Sequence, residues 1–167
     1  ILPDFIANSI KAARKSIIIE SPYFVPNTQL LSALLGRAKD GVDVRILVPN
    51  KLNDSKLDRL ASQSFYQKVL DAGVKIFEYQ PTVNHTKFMT IDGQWSIIGS
   101  PNLNTRSRRL DEEVAFGILD STLGTQHQQI FENDLTHAIE IKSDEWHKRS
   151  IFKKALEWSA KIFDKQI

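Results

Sequence analysis

The 167-residue chain contains no cysteine. This absence excludes thiol nucleophiles, disulfide bonds and cysteine-ligated zinc. No apolar run approaches the roughly 18 to 20 residues of a membrane-spanning helix, and no signal peptide opens the chain. There is also no glycine-rich phosphate-binding loop, so a nucleotide cofactor is not expected. Because the first residue is isoleucine rather than methionine, the chain is open to being a piece of a longer protein with a targeting segment upstream.

The charge balance is nearly even. A net charge of +2 is too small to indicate a nucleic-acid partner by itself. The hydrophobic fraction of 41% and the charged fraction of 25% are those of an ordinary soluble globular protein, and the length fits a single domain over residues 1–167. Basic residues concentrate at 106–109, and again at 148–149 and 153–154, where solvation is the simpler explanation.

Strands alternate with helices along the first 120 residues. The patterns predict helices over 5–14, 29–40 and 56–72 and strands over 16–20, 42–48, 74–79, 84–92, 95–98 and 113–119. This alternation predicts an α/β fold with a mixed, mainly parallel sheet sandwiched between helices. From Ser121 onward we expect a helix to about Ile141 and a C-terminal helical tail from about Asp144, which packs on the body or lies in a membrane interface.

The chemistry-bearing residues cluster between positions 85 and 102. The segment from His85 to Asp92, with Lys87 third, is followed after six residues by Gly99, Ser100, Pro101 and Asn102, which gives the pattern H-x-K-x4-D-x6-G-S-x-N. Alternation from Asn84 to Asp92 predicts a strand, and a turn at Asp92-Gly93-Gln94 leads into the returning strand. We expect Gly99 to allow close backbone approach or a bulge.

Two registers of this hairpin are possible. With Gly93-Gln94 as a two-residue loop, Lys87 faces Ser100 and His85 faces Asn102. With Asp92-Gly93 as the loop, His85 faces Ser100. Both registers place these four polar side chains on one face, because they differ by two residues.

This cluster suits a phosphate diester. Lys87 brings a compact positive charge, and Ser100 and Asn102 bring donors for the non-bridging oxygens. His85 is the member that can act as a neutral nucleophile near pH 7. In-line attack by its imidazole would give a phosphohistidine, and a second imidazole would have to protonate the leaving alkoxide. If the chain is one half of a larger site, His85 can instead be that leaving-group acid. The basic run at 106–109 follows Asn102 at the mouth of this site, where anion attraction and simple solvation explain it equally well.

The pattern resembles the signature of the phospholipase D superfamily. The resemblance implies a two-histidine, two-step mechanism without metal or cofactor, and makes His85, Lys87 and Asp92 the catalytic signature. Asp92 lies at the turn, off the His85 face, which favours a structural role. The resemblance also implies an acidic residue about a dozen positions past the Gly-Ser pair that orients the nucleophilic ring. Glu113 fits that role better than its neighbour Glu112.

A finer resemblance is to the carboxy-terminal half of a bacterial cardiolipin synthase. It is carried by segments spread over most of the chain, namely 21–26, 41–46, 73–81, 102–107, 131–135 and 146–149. It implies transfer of a phosphatidyl group from one phosphatidylglycerol to another at the bacterial cell membrane. Anionic phospholipid and a membrane surface are therefore the expected partners.

The chain departs from that family in one respect: it carries a single signature, whereas such synthases carry two. Either the chain is one half of a two-signature enzyme, or two copies pair about a two-fold axis. Three functions follow: a lipid phosphatidyltransferase, a homodimeric phosphodiesterase or nuclease, and an inactive lipid- or partner-binding half. Nucleic acid is a partner only under the second. The remaining histidines, His127, His137 and His147, are expected to be packed or surface residues.

Overall fold

The computed structural model describes residues 2–52, 55–103 and 113–150. Within these ranges the helices are Leu2–Ala12 (α1), Thr28–Lys39 (α2), Lys56–Leu70 (α3), Ser121–Leu135 (α4) and Ser143–His147 (α5). The strands are Ser16–Glu20 (β1), Asp43–Pro49 (β2), Lys75–Tyr79 (β3), Phe88–Ile91 (β4), Trp95–Gly99 (β5), Ala115–Leu119 (β6) and Ala138–Ile141 (β7).

Local sequence signals fix the ends of the longer helices. The side chains of Asn27, Ser55 and Asp120 cap the N-termini of α2, α3 and α4, each accepting a hydrogen bond from a backbone N–H three residues on. Gly41 and Gly73 follow α2 and α3 with φ of 87° and 92°. Both glycines adopt the left-handed conformation that commonly ends a helix, as the sequence predicts.

The described strands form one seven-stranded sheet in the order β6-β5-β4-β1-β2-β3-β7. Helices cover both of its faces, so the predicted α/β class and mixed sheet are confirmed. The parallel share is smaller than predicted, since only the β1–β2 and β2–β3 pairs are parallel and the other four pairs are antiparallel. The two crossovers through α2 and α3 create the parallel part, and every later strand joins an edge in the opposite direction.

Alternate side chains of the central strands enter two hydrophobic layers. On one face the strand residues pack with α1, α2 and α3, and this larger cluster includes Ile17, Ile19, Val44, Ile46, Ile76, Met89, Ile91 and Ile97. On the other face Ile18, Leu47 and Phe88 pack with Phe131 of α4. Because β1 and β4 are covered on both sides, their residues are almost all buried, and the strands read as continuous apolar runs.

The hairpin differs from both predicted registers. Phe88 pairs with Ile98 and Ile91 pairs with Trp95, which leaves a three-residue connection, Asp92-Gly93-Gln94. Positive φ angles of 54° at Asp92 and 67° at Gly93 allow this turn. The register is shifted by one residue from each predicted alternative, so the expected pairings of Lys87 with Ser100, and of His85 with Asn102 or Ser100, are wrong.

The other differences lie at element ends and in the tail. β4 begins at Phe88 rather than at Asn84, and the segment 84–87 is irregular. The predicted helix from Ser121 to Ile141 ends at Leu135, because Ala138–Ile141 joins β3 as an antiparallel edge strand. The predicted helical tail begins as α5, and its apolar and lysine stripes fall mainly at 151–167, outside the described residues.

Candidate active site

One end of the sheet gathers the candidate residues. Glu20 ends β1 opposite Phe88, the first residue of β4, because these strands are antiparallel. β5 returns to the same end at Gly99, which pairs with Ala115 at the start of β6. The segments 84–87, 100–103 and 113–114 therefore all leave the sheet at this end. Strand direction brings them together here, in place of the shared face expected from alternation.

His85 and Lys87 are in direct contact. Nζ of Lys87 lies 2.9 Å from Nδ1 of His85, and it also lies 3.5 Å from the His85 carbonyl oxygen. An ammonium has only donors, so this contact places the lone pair of a neutral imidazole on Nδ1. The ring of Tyr23, from the segment after β1, lies nearly perpendicular to the imidazole with ring centroids 6.0 Å apart. The His85 side chain is exposed, and solvent can reach it.

Ser100 and Glu113 form a second contact at the same end. The Ser100 hydroxyl donates to the Glu113 carboxylate and accepts from the backbone N–H of Val114 at 3.1 Å. Among the described residues, Glu113 thus holds Ser100 rather than the imidazole of His85, and its expected orienting role is not seen in this arrangement. A Cβ at Gly99 would lie 2.2 Å from the Val114 carbonyl oxygen, so the predicted close backbone approach is confirmed.

Asn102 lies on a segment that is tied to the loop after β1. Leu103 forms a parallel bridge with Phe24, and its carbonyl oxygen accepts from the Val25 N–H at 2.6 Å. Asn102 is half-buried and lines a cleft whose other walls come from α1 and α2. Lys87 lines the adjacent cavity, which shares Pro101 with that cleft.

Asp92 occupies the opposite end of β4. The five positions from Lys87 to Asp92 span roughly 17 Å of extended chain. Its carboxylate accepts hydrogen bonds from the backbone N–H groups of Arg14, Lys15 and Ser16, at 2.9, 2.7 and 3.0 Å. These three bonds offset the cost of burial and keep the pKa of Asp92 below its ordinary value. Asp92 therefore joins the α1–β1 connection to the hairpin turn and has no place at the His85 end.

The structure adds a carboxyl group that the sequence reasoning did not single out. Glu20 is 1% exposed and lines the same cavity as Lys87. Its Oε2 accepts from Nδ2 of Asn84 at 3.2 Å, and burial raises its pKa to about 7. The available signal was an acidic residue directly after the apolar run Ile17–Ile19, at a strand end where ligands commonly bind in α/β sheets.

The other expectations concern residues away from this end. His127 is packed: its Nδ1 lies 2.9 Å from the Thr90 hydroxyl, its ring stacks on Phe88, and burial lowers its pKa. His147 lies near the surface beside Asp71. The basic run at 106–109 and the rival acid Glu112 fall outside the described residues. In the described ranges no group of three metal-ligating side chains occurs, and no helix is long and apolar enough to cross a membrane.

Sequence comparison identifies the family. The family described as cardiolipin synthase, PLD-like domain, matches residues 6–135. The chain belongs to this family. It is 38% identical over 149 residues to cardiolipin synthase A of Proteus mirabilis, a match that covers 89% of this chain and 30% of that protein. The chain thus spans about a third of the length of this relative.

Solved structures share the fold of this PLD-like domain. Nuc, a phospholipase D family member from Salmonella typhimurium, superposes with a TM-score of 0.72 at 19% identity, covering 84% of this chain and 90% of Nuc. Phosphatidylserine synthase from Haemophilus influenzae gives a TM-score of 0.77 at 19% identity, covering 99% of this chain and 42% of that chain. At this identity the likeness establishes the fold.

Proposed function

We propose that this PLD-like domain is the catalytic half of a phosphatidyltransferase of cardiolipin synthase type. The contact between His85 and Lys87 carries the proposal, because it joins the signature imidazole to an ammonium at an exposed sheet end. The resemblance to cardiolipin synthase A supports phosphatidylglycerol as the substrate. The lipid phosphodiester is an anion, and it would be drawn to the ammonium of Lys87.

In the first step an imidazole nitrogen of His85 attacks the phosphorus of the bound lipid. A nitrogen–phosphorus bond forms, the phosphorus–oxygen bond to the glycerol headgroup breaks, and the glycerol alkoxide takes a proton from a second imidazole. Lys87 and Asn102 would bind the non-bridging oxygens, with Ser100 beside them. The product of this step is a phosphatidyl-histidine.

In the second step the hydroxyl of another phosphatidylglycerol attacks that phosphorus. The second imidazole takes the hydroxyl proton, the new phosphorus–oxygen bond forms, and His85 leaves as a neutral ring. This chain supplies one signature histidine, so the second imidazole must come from another half. That half is either the remaining length of a longer protein or a second copy of this chain across a two-fold axis.

A homodimeric phosphodiesterase or nuclease is the second candidate. The observation that favours it is size, because the superposition covers 90% of the Nuc chain and so a protein of nearly this length exists with the fold. An inactive half that only binds lipid or a partner is the third candidate. Under the first and third candidates the chain would work at a bacterial membrane surface.

The distinguishing experiment offers both substrates to the same preparation. The chain, together with its missing half if it is produced as part of a longer protein, is incubated with phosphatidylglycerol vesicles and, separately, with DNA. Cardiolipin and glycerol should form from the lipid, and the DNA should remain intact. His85→Ala should form neither product. DNA cleavage without cardiolipin would establish the second candidate, and vesicle binding without either reaction would establish the third.

A further inference from the structure

Glu20 is a buried acid whose two carboxyl oxygens differ in their hydrogen bonding. Oε2 accepts from Asn84, whereas Oε1 is buried and has no hydrogen-bond partner among the described residues. Beside Glu20 in the paired strands lie the apolar side chains of Leu47 and Phe88. An incompletely paired buried carboxyl destabilises the fold, so a contribution to stability does not account for it. Such groups are concentrated at functional sites.

The one described partner of Glu20 leads directly to His85. Nδ2 of Asn84 donates to Glu20, and Oδ1 of the same side chain accepts from the backbone N–H of Thr86 at 2.9 Å. Asn84 and Thr86 are the residues on either side of His85. This short side-chain-to-backbone turn fixes the backbone conformation of the irregular segment that carries the histidine. The hydrogen bond from Asn84 to Glu20 attaches this turn to the end of β1.

We propose that Glu20 is a positioning residue for His85 and acts through Asn84. The proposal rests on the proposed function, since the position of His85 matters only if its imidazole reacts. Glu113, the acid that the family resemblance assigned to orienting the ring, is bonded to Ser100 instead. The relay from Glu20 to Asn84 to the Thr86 amide supplies a different means of holding the histidine, through its backbone.

One charged residue lines the cavity that Glu20 also lines, and another acts electrostatically on the Glu20 carboxyl. Lys87 lines the same cavity, and Asp134 of α4 adds a repulsive negative charge. Either protonation state of Glu20 keeps an oxygen that accepts from Asn84. The ionised form also adds a negative charge close to where the substrate phosphate would bind. Glu20→Gln should therefore preserve the relay. At alkaline pH it should also remove the negative charge that the ionised carboxylate places near the substrate phosphate.

The experiment compares Glu20→Leu, Glu20→Gln and Asn84→Ala in the full chain. The first readout is hydrogen exchange of the Thr86 amide, which does not depend on activity. Protection should fall at least tenfold in Glu20→Leu and Asn84→Ala and remain in Glu20→Gln. Unchanged protection in Glu20→Leu would overturn the relay.

The second readout is the single-turnover release of 4-nitrophenolate from bis(4-nitrophenyl) phosphate, whose leaving group needs no acid. Glu20→Leu and Asn84→Ala should each slow release about 10- to 100-fold at unchanged half-saturation, because a small misplacement of a nucleophile has effects of this size. The double variant should be no slower than either single variant, since both break one relay. The proposal would be contradicted if the effects of the two single variants multiply in the double variant. A Glu20→Leu rate within twofold of the wild-type rate would contradict it as well.

Two controls separate positioning from folding. Glu78→Gln changes another buried carboxyl at a strand end, which is paired with Arg59, and should leave the rate unchanged. Glu20→Leu should raise the thermal midpoint at pH 8 while it slows release, a combination that a purely structural residue would not give. If His85→Ala releases nitrophenolate at the wild-type rate, the proposed function fails. If His85→Ala is inactive and Glu20→Leu is normal, only the role of Glu20 fails.

Discussion

The carboxylate of Asp92 lies 2.7 Å from the backbone nitrogen of Lys15, although 77 positions separate the two residues. With the bonds to Arg14 and Ser16, this contact makes the signature aspartate the tie between the first helix–strand connection and the hairpin turn. The family signature therefore includes a residue for holding β4 in place as well as residues for the reaction.

Replacing Asp92 should reduce stability rather than chemistry. Asp92→Ala removes the acceptor of three N–H bonds and puts alanine at a positive φ, so we expect a loss of about 2–4 kcal/mol in the free energy of unfolding. Asp92→Asn keeps an acceptor and tolerates that φ, so its loss should be about half as large. Urea unfolding measures both changes. A loss of activity per folded molecule comparable to that of His85→Ala would show that Asp92 takes part in the reaction.

The lowered pKa of His127 predicts a loss of stability on the acid side. The neutral ring is favoured in the folded state, so the contribution of His127 to the free energy of unfolding should be fully retained above the ordinary imidazole pKa of 6.5 and should fall as the pH drops below it, opposite to the change that Glu20 makes over the same range. Asp92 adds a second loss below the ordinary carboxyl pKa of 3.8, because its folded pKa is also lowered. The His127→Gln protein should therefore gain stability relative to the wild type as the pH falls from 6.5 to 4.5, and it should keep the second loss. A stability difference between the two proteins that stays constant from pH 6.5 to 4.5 would contradict the assignment.

Glu20 should have the opposite pH dependence. Its pKa rises from 4.5 to about 7 on folding, so its contribution destabilises the fold progressively between these values, by an amount on the order of 3 kcal/mol when complete. Glu20→Gln should therefore be more stable than wild type at pH 8 and similar to it at pH 4. Equal stability of the two proteins at pH 8 would show that the carboxyl is not desolvated.

Gly99→Ala tests the close contact between β5 and β6. The added methyl group would meet the Val114 carbonyl oxygen at 2.2 Å, so β6 must move and carry Glu113 away from Ser100. We expect a loss of about 2 kcal/mol or more together with reduced activity. Gly36→Ala is the matched control, because nothing lies within 4 Å of its Cβ and the helix should gain up to about 1 kcal/mol. A neutral Gly99→Ala would contradict the packing.

The sequence predicted the α/β class, most element positions and the close backbone approach at Gly99. It did not predict the hairpin register, because the three-residue turn depends on a left-handed Asp92 that is held by backbone groups 76 to 78 positions away. The sequence pattern predicts helix at Ala138–Ile141, whereas antiparallel pairing with β3 makes this segment the strand β7. The bond from Asn84 to Glu20 spans 64 positions and leaves no periodic signal.

Assembly gives a further prediction. If two copies of His85 share one cleft, the steady-state activity of the isolated chain should fall on dilution below the dimer dissociation constant. Mixing inactive His85→Ala chains with inactive Lys87→Ala chains should not restore activity, since each joint site needs both residues from both halves. Constant specific activity from a demonstrated monomer would defeat the two-histidine mechanism for this chain.

The most direct measurement is intact-mass and peptide analysis of the chain after a short reaction with bis(4-nitrophenyl) phosphate, quenched at alkaline pH. Its leaving group departs as an anion, so the first step needs His85 but no second imidazole. We predict one 4-nitrophenyl phosphoryl group on the imidazole of His85, with release of one equivalent of 4-nitrophenolate, and neither product from His85→Ala. Turnover without an adduct, or an adduct on another residue, would contradict His85 as the nucleophile.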